Sequence, residues 1–386
     1  MEEKPQARPR DPLRLARYAL PTTIVYGADA LLQLPALLAE AGVSYPLVVT
    51  DRGLAATPIP ERVTGVLTAA GIRHELFAEV EPDPTMAAVD RMAGLLRERG
   101  HDGVIGLGGG SAMDAAKAAS AAAAAGLPVR DIVGPDKVPT DPLPTIAIPT
   151  TAGTGSEVTR FAVLSDPVAG VKVSLASMRI MPRFALLDAS LTTGLPATLT
   201  ASTGLDALAH AVESYGSVWN NPVSEGMALH AVALVGEHLR TAAEDPSNLV
   251  ARGGMLAASS IAELAANSTR LGLAHALAVP LGATNHVPHG VGVAMLLAPM
   301  CAYNEGVDPG RYARLSGAFG GDGQSFSGLV ATLCRDLGLT ARLRDFDFDD
   351  NDRERVIEIA LRSDNVQANP RQAEAADLRQ LLEQAR

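Results

Sequence analysis

The most specific chemistry in this sequence is offered by one aspartate and three histidines. Asp206 and His210 stand four residues apart in a strongly helical stretch, residues 203–215 (TGLDALAHAVESY), so both side chains project from one helix face. His275 follows in a later helical run, and His289 lies between Pro288 and Gly290. One carboxylate and three imidazoles make a donor set suited to a divalent first-row metal, with a coordination position left for a substrate. Each histidine taken singly also has an ordinary structural reading. His230 and His238, on a predicted helix, and His74 and His101, near strand edges, are read as packing or solvated side chains.

A second kind of chemistry is suggested by small residues. Gly108, Gly109, Gly110 and Ser111 fall between a predicted strand (103–107) and an Ala-rich helix (111–125). Glycines there let backbone N–H groups approach a pyrophosphate, and the helix N-terminus adds partial positive charge. The segment matches neither GxGxxG nor the Lys-containing phosphate loop, and a plain tight turn is the alternative. A further turn, residues 149–157 (PTTAGTGSE), follows the strand 145–148 and offers four hydroxyls among small residues. At the C-terminal end of a parallel strand it could line a ligand crevice; otherwise it is a polar surface loop. Asp51 directly follows the apolar run 45–50 (YPLVVT). A carboxylate there can accept hydrogen bonds from an adenosine ribose and repel a 2′-phosphate, favouring NAD over NADP, or it can simply cap a turn.

The elements that must position these groups alternate in the first half. Strands are expected at 22–27, 45–50, 73–80, 103–107 and 145–148, with helices at 28–41, 61–70, 85–99 and 111–125. Alternation of this kind implies an α/β domain with a doubly wound, Rossmann-like parallel sheet. Short β-like runs follow at 161–164, 172–175 and 185–187, and from about residue 196 the apolar spacing is helical throughout. Pro222, Pro246, Pro288 and Pro309 mark expected helix starts or stops. The domains are therefore set at 1–195 (α/β) and 196–386 (all-α).

Composition narrows the partners. The chain of 386 residues carries a net charge of -11 and only 4% aromatic residues. That balance disfavours nucleic acid, which calls for clustered cations and stacking platforms. No uninterrupted apolar run reaches the roughly 18 residues of a membrane helix. Residues 1–17 lack the apolar core of a signal peptide and are expected to form a loose leader. Cys301 and Cys334 show neither metal nor disulfide spacing and read as ordinary thiols in a reducing cytoplasm.

Taken together, VTD (49–51), GGGSAMDAAKA (108–118), IPTTAGTGSEVT (148–159), TGLDALAHAVESY (203–215) and HALAVPLGATNHVPHG (275–290) resemble the iron-containing (group III) alcohol dehydrogenases, over nearly the whole chain. The resemblance implies a dehydroquinate synthase-like architecture, with a dinucleotide-binding domain followed by a helical metal-binding domain. It implies metal ligation by Asp206, His210, His275 and His289, with ferrous iron typical and zinc in some members. It also implies NAD(H) contacts from Asp51, Gly109, Gly110, Ser111, Asp114, Thr150, Thr151, Thr154, Thr159 and Lys172, beside Gly108 in the glycine turn.

The implied activity is interconversion of a small alcohol and its aldehyde or ketone by hydride transfer, in a homodimer or larger homo-oligomer. A maleylacetate reductase or other anionic-carbonyl reductase of the same fold is the alternative. A sugar-phosphate enzyme of the dehydroquinate synthase type and a non-catalytic nucleotide-binding or assembly protein are more distant ones. Two positions depart from the family pattern. Val279 stands where a further His is common, which turns attention to His286 as a proton relay. Asp83 stands in Pro82-Asp83-Pro84-Thr85, where the family has Asn. Arg160, Asn220 and Asn221 are candidates for lining a substrate pocket.

Overall fold

A computed structural model describes residues 7–386 except Pro12, Arg17 and Ala169. The chain divides into two compact units, one spanning Ala19–Leu195 and the other Pro196–Arg386 together with the described residues up to Tyr18. The leading segment therefore departs from the expectation of a loose leader within the first domain. The Arg8 amide donates to the Pro370 carbonyl at 2.7 Å. The Arg10 guanidinium reaches Asp308 at 2.7 Å and the Gly216 carbonyl at 3.0 Å. The Arg10–Asp308 ion pair and hydrogen bonds to backbone carbonyls tie the segment to the helices. Residues 1–6, 12 and 17 of the expected leader lie outside the described residues.

In the first unit the strands are β1 (Thr23–Tyr26), β2 (Pro46–Asp51), β3 (Glu75–Val80), β4 (Gly103–Gly108), β5 (Gly134–Pro135), β6 (Thr145–Pro149), β7 (Phe161–Asp166), β8 (Val171–Ala176) and β9 (Phe184–Leu187). Six of them form a wholly parallel sheet in the order β1-β9-β6-β4-β2-β3. β4, β6 and β9 are buried along their whole length, as strands covered on both faces must be. The covering helices are α1 (Leu34–Ala41), α2 (Arg52–Ala55), α3 (Ile59–Ala69), α4 (Met86–Arg99), α5 (Gly110–Ala125) and α6 (Val129–Ile132). One core layer joins Leu47, Val49 and Val104 to the alanine face of α5; the other joins Val48, Ile105, Ile146 and Ile148 to Leu34, Leu38, Val63 and Leu67.

The run 185–187, grouped in the sequence with the short β-like region, inserts between β1 and β6 of the main sheet instead. β7 and β8 form an antiparallel hairpin beside β5. The expected helix 28–41 is split into a 3-10 turn (Ala30–Gln33) and α1, with Pro35 in the first turn of α1.

Strand order fixes where a ligand crevice forms. After β2 the chain moves outward to β3, whereas after β4 it moves the other way to β6. The loops leaving β2 and β4 thus diverge at a topological switch point, where open α/β sheets bind ligands beyond the strand C-termini. Asp51 and Gly108 occupy those two ends.

The second unit is helical: α7 (Ala197–Gly216), α8 (Pro222–Glu244), α9 (Leu249–Thr269), α10 (Leu273–Asn285), α11 (His289–Glu305), α12 (Pro309–Phe319), α13 (Phe326–Asp336), α14 (Asp350–Leu361), α15 (Asp364–Ala368) and α16 (Ala375–Ala385). Pro222 and Pro309 open α8 and α12, and Pro288 is the residue before α11. α9 is long and apolar enough to cross a membrane, but 72% of its apolar window is buried inside the fold, as in a core helix. His238 packs against α9, which approaches closely because Gly254 has no side chain: a Cβ there would lie 2.0 Å from the imidazole. His230 is exposed, and both cysteines are free and buried.

Candidate metal centre and dinucleotide turns

Asp206, His210 and Glu213 fall at i, i+4 and i+7 on α7, one stripe of a helix buried over most of its length. His275 comes from the first turn of α10, and His289 is the first residue of α11. The fold brings all four sequence-derived donors together. His275 Nε2 lies 3.3 Å, and His289 Nε2 3.5 Å, from Asp206 Oδ1. The His210 and His275 rings stack with centroids 4.5 Å apart, and His275 and His289 are 5.4 Å apart. One donor atom from each of Asp206, His210 and His275 lies within 4.8 Å of the others.

Three buried atoms in this cluster, Asp206 Oδ1, His210 Nδ1 and His275 Nε2, make no well-aligned hydrogen bond, although Asp206 Oδ1 and His275 Nε2 face each other at 3.3 Å. Buried polar atoms are nearly always satisfied, so unsatisfied donor atoms clustered beside a buried carboxylate fit a cation site. Side-chain exposure is at most 8% for the three buried donors and 35% for His289, so the cluster has one open side.

The electrostatics agree. Burial opposes the charged form of Asp206, but the His210 and His289 imidazoles outweigh it and hold the carboxyl well below its usual range. Burial lowers His210 to about 4, only partly offset by Asp206, so this ring is neutral and has a lone pair to donate. Burial also works against His275, yet Glu213 and Asp206 override it and raise the ring to about 10. Two buried carboxylates around one imidazole leave net negative charge for a cation to neutralise.

Glu213 was not singled out in the sequence, although its i+7 spacing from Asp206 was the available signal. One carboxylate oxygen accepts from the His275 Nδ1 side, and the other accepts from the Ala274 amide at 2.8 Å. Glu263 on α9 lies 3.8 Å from His210 Nε2. Val279 is 37% exposed on α10. His286 is exposed at the C-cap of α10 in the left-handed conformation, φ 54°.

In the sheet unit the glycine turn and the threonine turn meet. The Thr150 amide donates to the Gly108 carbonyl at 3.0 Å. A Cβ on Gly109 would sit 3.5 Å from Thr151, and one on Gly110 would sit 2.9 Å from Thr154. Gly108, at φ 144°, adopts a backbone that side chains disfavour and lies 3.3 Å from Asp51 Oδ2 by the same measure. Asp51 caps α2, its Oδ1 accepting from the Leu54 amide at 2.8 Å, which leaves Oδ2 towards the glycine turn. The cap and ligand readings of Asp51 are therefore compatible. α5 starts at Gly110 with Gly109 as its cap, and no capping side chain hydrogen-bonds its first amides, which suits a helix terminus that receives an anion.

Asp114, expected as a cofactor contact, is also tied into the threonine turn. Its Oδ1 accepts from Ser156 Oγ at 2.5 Å, its Oδ2 accepts from the Val163 amide at 2.9 Å, and Lys117 Nζ lies 3.0 Å away. Lys117, fully buried, also donates to the Ser156 carbonyl at 3.0 Å and to the Phe161 carbonyl. Asp114 and Lys117 thus brace the threonine turn from beneath. Buried Thr159 accepts from the Phe161 amide at 3.3 Å.

Lys172 pairs with Asp83 at 2.7 Å, and the Asp83 amide lies 3.4 Å from Ser111 Oγ, next to the glycine turn. Of the pocket-lining candidates, Asn220 donates to the Tyr215 carbonyl and Asn221 caps α8, so both serve the helix junction. Arg160 stacks over Phe161 at 5.1 Å.

Comparison with known proteins follows the same division. The sequence pattern of "Iron-containing alcohol dehydrogenase" matches residues 21–189, and that of "Fe-containing alcohol dehydrogenase family, C-terminal" matches residues 200–386. The chain is 35% identical to a 1,3-propanediol dehydrogenase of Klebsiella pneumoniae over 384 residues, covering 96% of this chain and 99% of that one. A crystal structure of 1,3-propanediol oxidoreductase superposes with a TM-score of 0.93 at 34% identity, over 97% of this chain and 100% of the other. The sulfoacetaldehyde reductase of Bifidobacterium kashiwanohense, solved with NAD+, gives a TM-score of 0.89 at 30% identity over 96% and 98%.

Proposed function

This chain belongs to the iron-containing alcohol dehydrogenases, NAD-linked oxidoreductases of alcohols and aldehydes, and from that premise we propose that Asp206, His210, His275 and His289 hold its divalent metal. The observation that supports this assignment is the convergence of four donors from three helices, three of their atoms buried without a well-aligned hydrogen bond. The bound ion, iron foremost and zinc as the other candidate, supplies Lewis acidity towards the substrate oxygen.

Bound NAD(H) would supply or accept the hydride, and binding, orientation, exclusion of water and movement of the proton fall to the chain itself. Asp51 faces the adenosine ribose, and the amides of Gly109, Gly110 and Ser111 at the start of α5 face the diphosphate. Thr150, Thr151 and Thr154 supply hydroxyls from the facing turn, with Thr159 following in that segment and Lys172, paired with Asp83, beside Ser111. Burial of Asp206, His210 and His275 excludes water from three of the four donors, and the more exposed His289 marks the side from which a small alcohol or aldehyde would enter. The His286 imidazole, exposed three residues before His289, exchanges the alcohol proton with solvent. We place the protein in the cytoplasm as a homodimer or larger homo-oligomer, a state that sedimentation of the purified chain reads directly.

The test is NADH oxidation against a panel of small neutral and anionic aldehydes, before and after metal removal by a chelator. Turnover that chelation abolishes and added Fe2+ or Zn2+ restores supports the assignment, and the panel names the substrate. Turnover indifferent to thorough metal removal rejects it.

Two cofactor predictions arise from the sheet unit. Asp51→Gly removes the ribose acceptor and its charge while costing the α2 cap only a few tenths of a kcal/mol. NADP turnover is expected to rise and NAD preference to fall; an unchanged NAD/NADP ratio of kcat/KM removes Asp51 from cofactor selection. Asp83→Asn keeps a side chain tolerant of the left-handed backbone at φ 54° but frees the Lys172 ammonium for an anionic cofactor. The pair is partly exposed and worth about 0.2–1 kcal/mol, so the KM for NAD+ is expected to fall by roughly 1.5- to 5-fold. A raised KM contradicts this role.

A further inference from the structure

We infer that Glu213 is a positioning residue that fixes the tautomer of His275 and so sets the affinity of the cluster for its metal; this rests on the metal assignment above. Glu213 Oε1 accepts from the Ala274 amide at 2.8 Å and the His275 amide at 3.3 Å, while Oε2 meets His275 Nδ1. The carboxylate is completely buried and so has no water to turn to. α10 begins after Gly272 with no capping side chain of its own, and Glu213 reaches across from α7 to take that place. Gly272 is small because of it: a Cβ there would lie 2.9 Å from Glu213 Oε1.

An ionised carboxylate only accepts hydrogen bonds, so when His275 sheds one of its ring protons to take a metal, the proton that stays is the one on Nδ1, facing Glu213. That leaves the lone pair on Nε2, the atom that points at Asp206 from 3.3 Å and makes no well-aligned hydrogen bond. Two backbone amides hold the carboxylate, and the carboxylate holds the ring; orientation and tautomer are set together.

Glu213→Gln keeps the shape and reverses the logic. With its single oxygen claimed by the two amides, the glutamine turns its NH2 towards Nδ1, which must then accept, and the ring proton moves to Nε2. The flipped amide would instead aim NH2 at two N–H groups. Neither arrangement leaves His275 a good donor to a cation.

The experiment is Co2+ titration of the full-length protein stripped of metal, read by the visible absorption of the bound ion and by competition with a chromophoric chelator. Glu213→Gln is expected to weaken binding by about 10- to 100-fold. Gly272→Ala, which displaces Oε1 without changing any charge, is expected to weaken it as well. NADH binding, followed by fluorescence, is expected to match wild type in both variants, which separates a local effect from misfolding. Wild-type Co2+ affinity in a folded Glu213→Gln protein overturns the inference and leaves the metal assignment standing. If that variant does not fold, Gly272→Ala decides in the same way. A wild-type protein that binds no Co2+ removes the metal assignment and the inference with it.

Discussion

His275→Ala is expected to lose its metal and to lower kcat/KM by about 10³-fold or more. Lewis acidity contributes several kcal/mol to the transition state, and each 1.36 kcal/mol is a factor of ten. His275 is the centre of the cluster, in contact with the His210 ring, Asp206 and Glu213 at once. Its removal leaves Asp206 and Glu213 buried with no intervening imidazole, a loss on the order of 3–5 kcal/mol for an uncompensated buried charge. A marked fall in melting temperature should therefore accompany the loss of turnover. His289→Ala provides the contrast. That side chain is 35% exposed, so turnover should fall with a much smaller change in stability. Metal content per chain, NADH oxidation and thermal unfolding of the two variants check both statements. A His275→Ala protein that keeps its metal and its rate contradicts them.

Lys117→Met is expected to cause the largest loss in the sheet unit. The ammonium is fully buried and is shared among the Ser156 carbonyl, the Phe161 carbonyl and Asp114. Methionine preserves the volume and removes all three interactions, leaving the Ser156 and Phe161 carbonyls without the ammonium and Asp114, 14% exposed, without its counter-charge. The cost is about 3–5 kcal/mol by the rule for breaking a buried ion pair. Because Asp114 and Lys117 brace the turn that carries Thr150, Thr151 and Thr154, the KM for NAD+ should rise by at least tenfold. Metal content should not change, since the cluster lies wholly in the helical unit. Denaturant unfolding and NAD+ titration measure the two effects. Wild-type stability would show that the buried ammonium is not the brace inferred from its contacts.

Much of this was legible in the sequence, for identifiable reasons. Runs such as 45–50, 103–107 and 145–148 are continuous and apolar because parallel strands are covered on both faces, and they became β2, β4 and β6. Asp206 and His210 were legible because helical periodicity alone places i and i+4 on one face. The family and its NAD-linked alcohol and aldehyde chemistry followed from motif order, and the comparisons agree.

The remainder depended on long-range contacts that spacing does not encode. Lys117 reads as an ordinary helix residue until β7 and the threonine turn close over it. Asp114 reads only as a cofactor contact, and its hydrogen bonds with Ser156 and the Val163 amide, 42 and 49 residues away, are not encoded in spacing. Glu213 acquires its role only when α10, 61 and 62 residues later in the chain at Ala274 and His275, docks its first turn on α7. The leading segment looked loose because the partners of Arg8 and Arg10 lie some 200 to 360 residues away.

Anomalous X-ray scattering, collected at the absorption edge of whichever metal purifies with the protein, tests the central claim most directly. The expected result is one strong peak per chain, surrounded by Asp206, His210, His275 and His289, at the Fe edge first and the Zn edge otherwise. A peak elsewhere, or none in crystals of protein that still oxidises NADH with a small aldehyde, would contradict it.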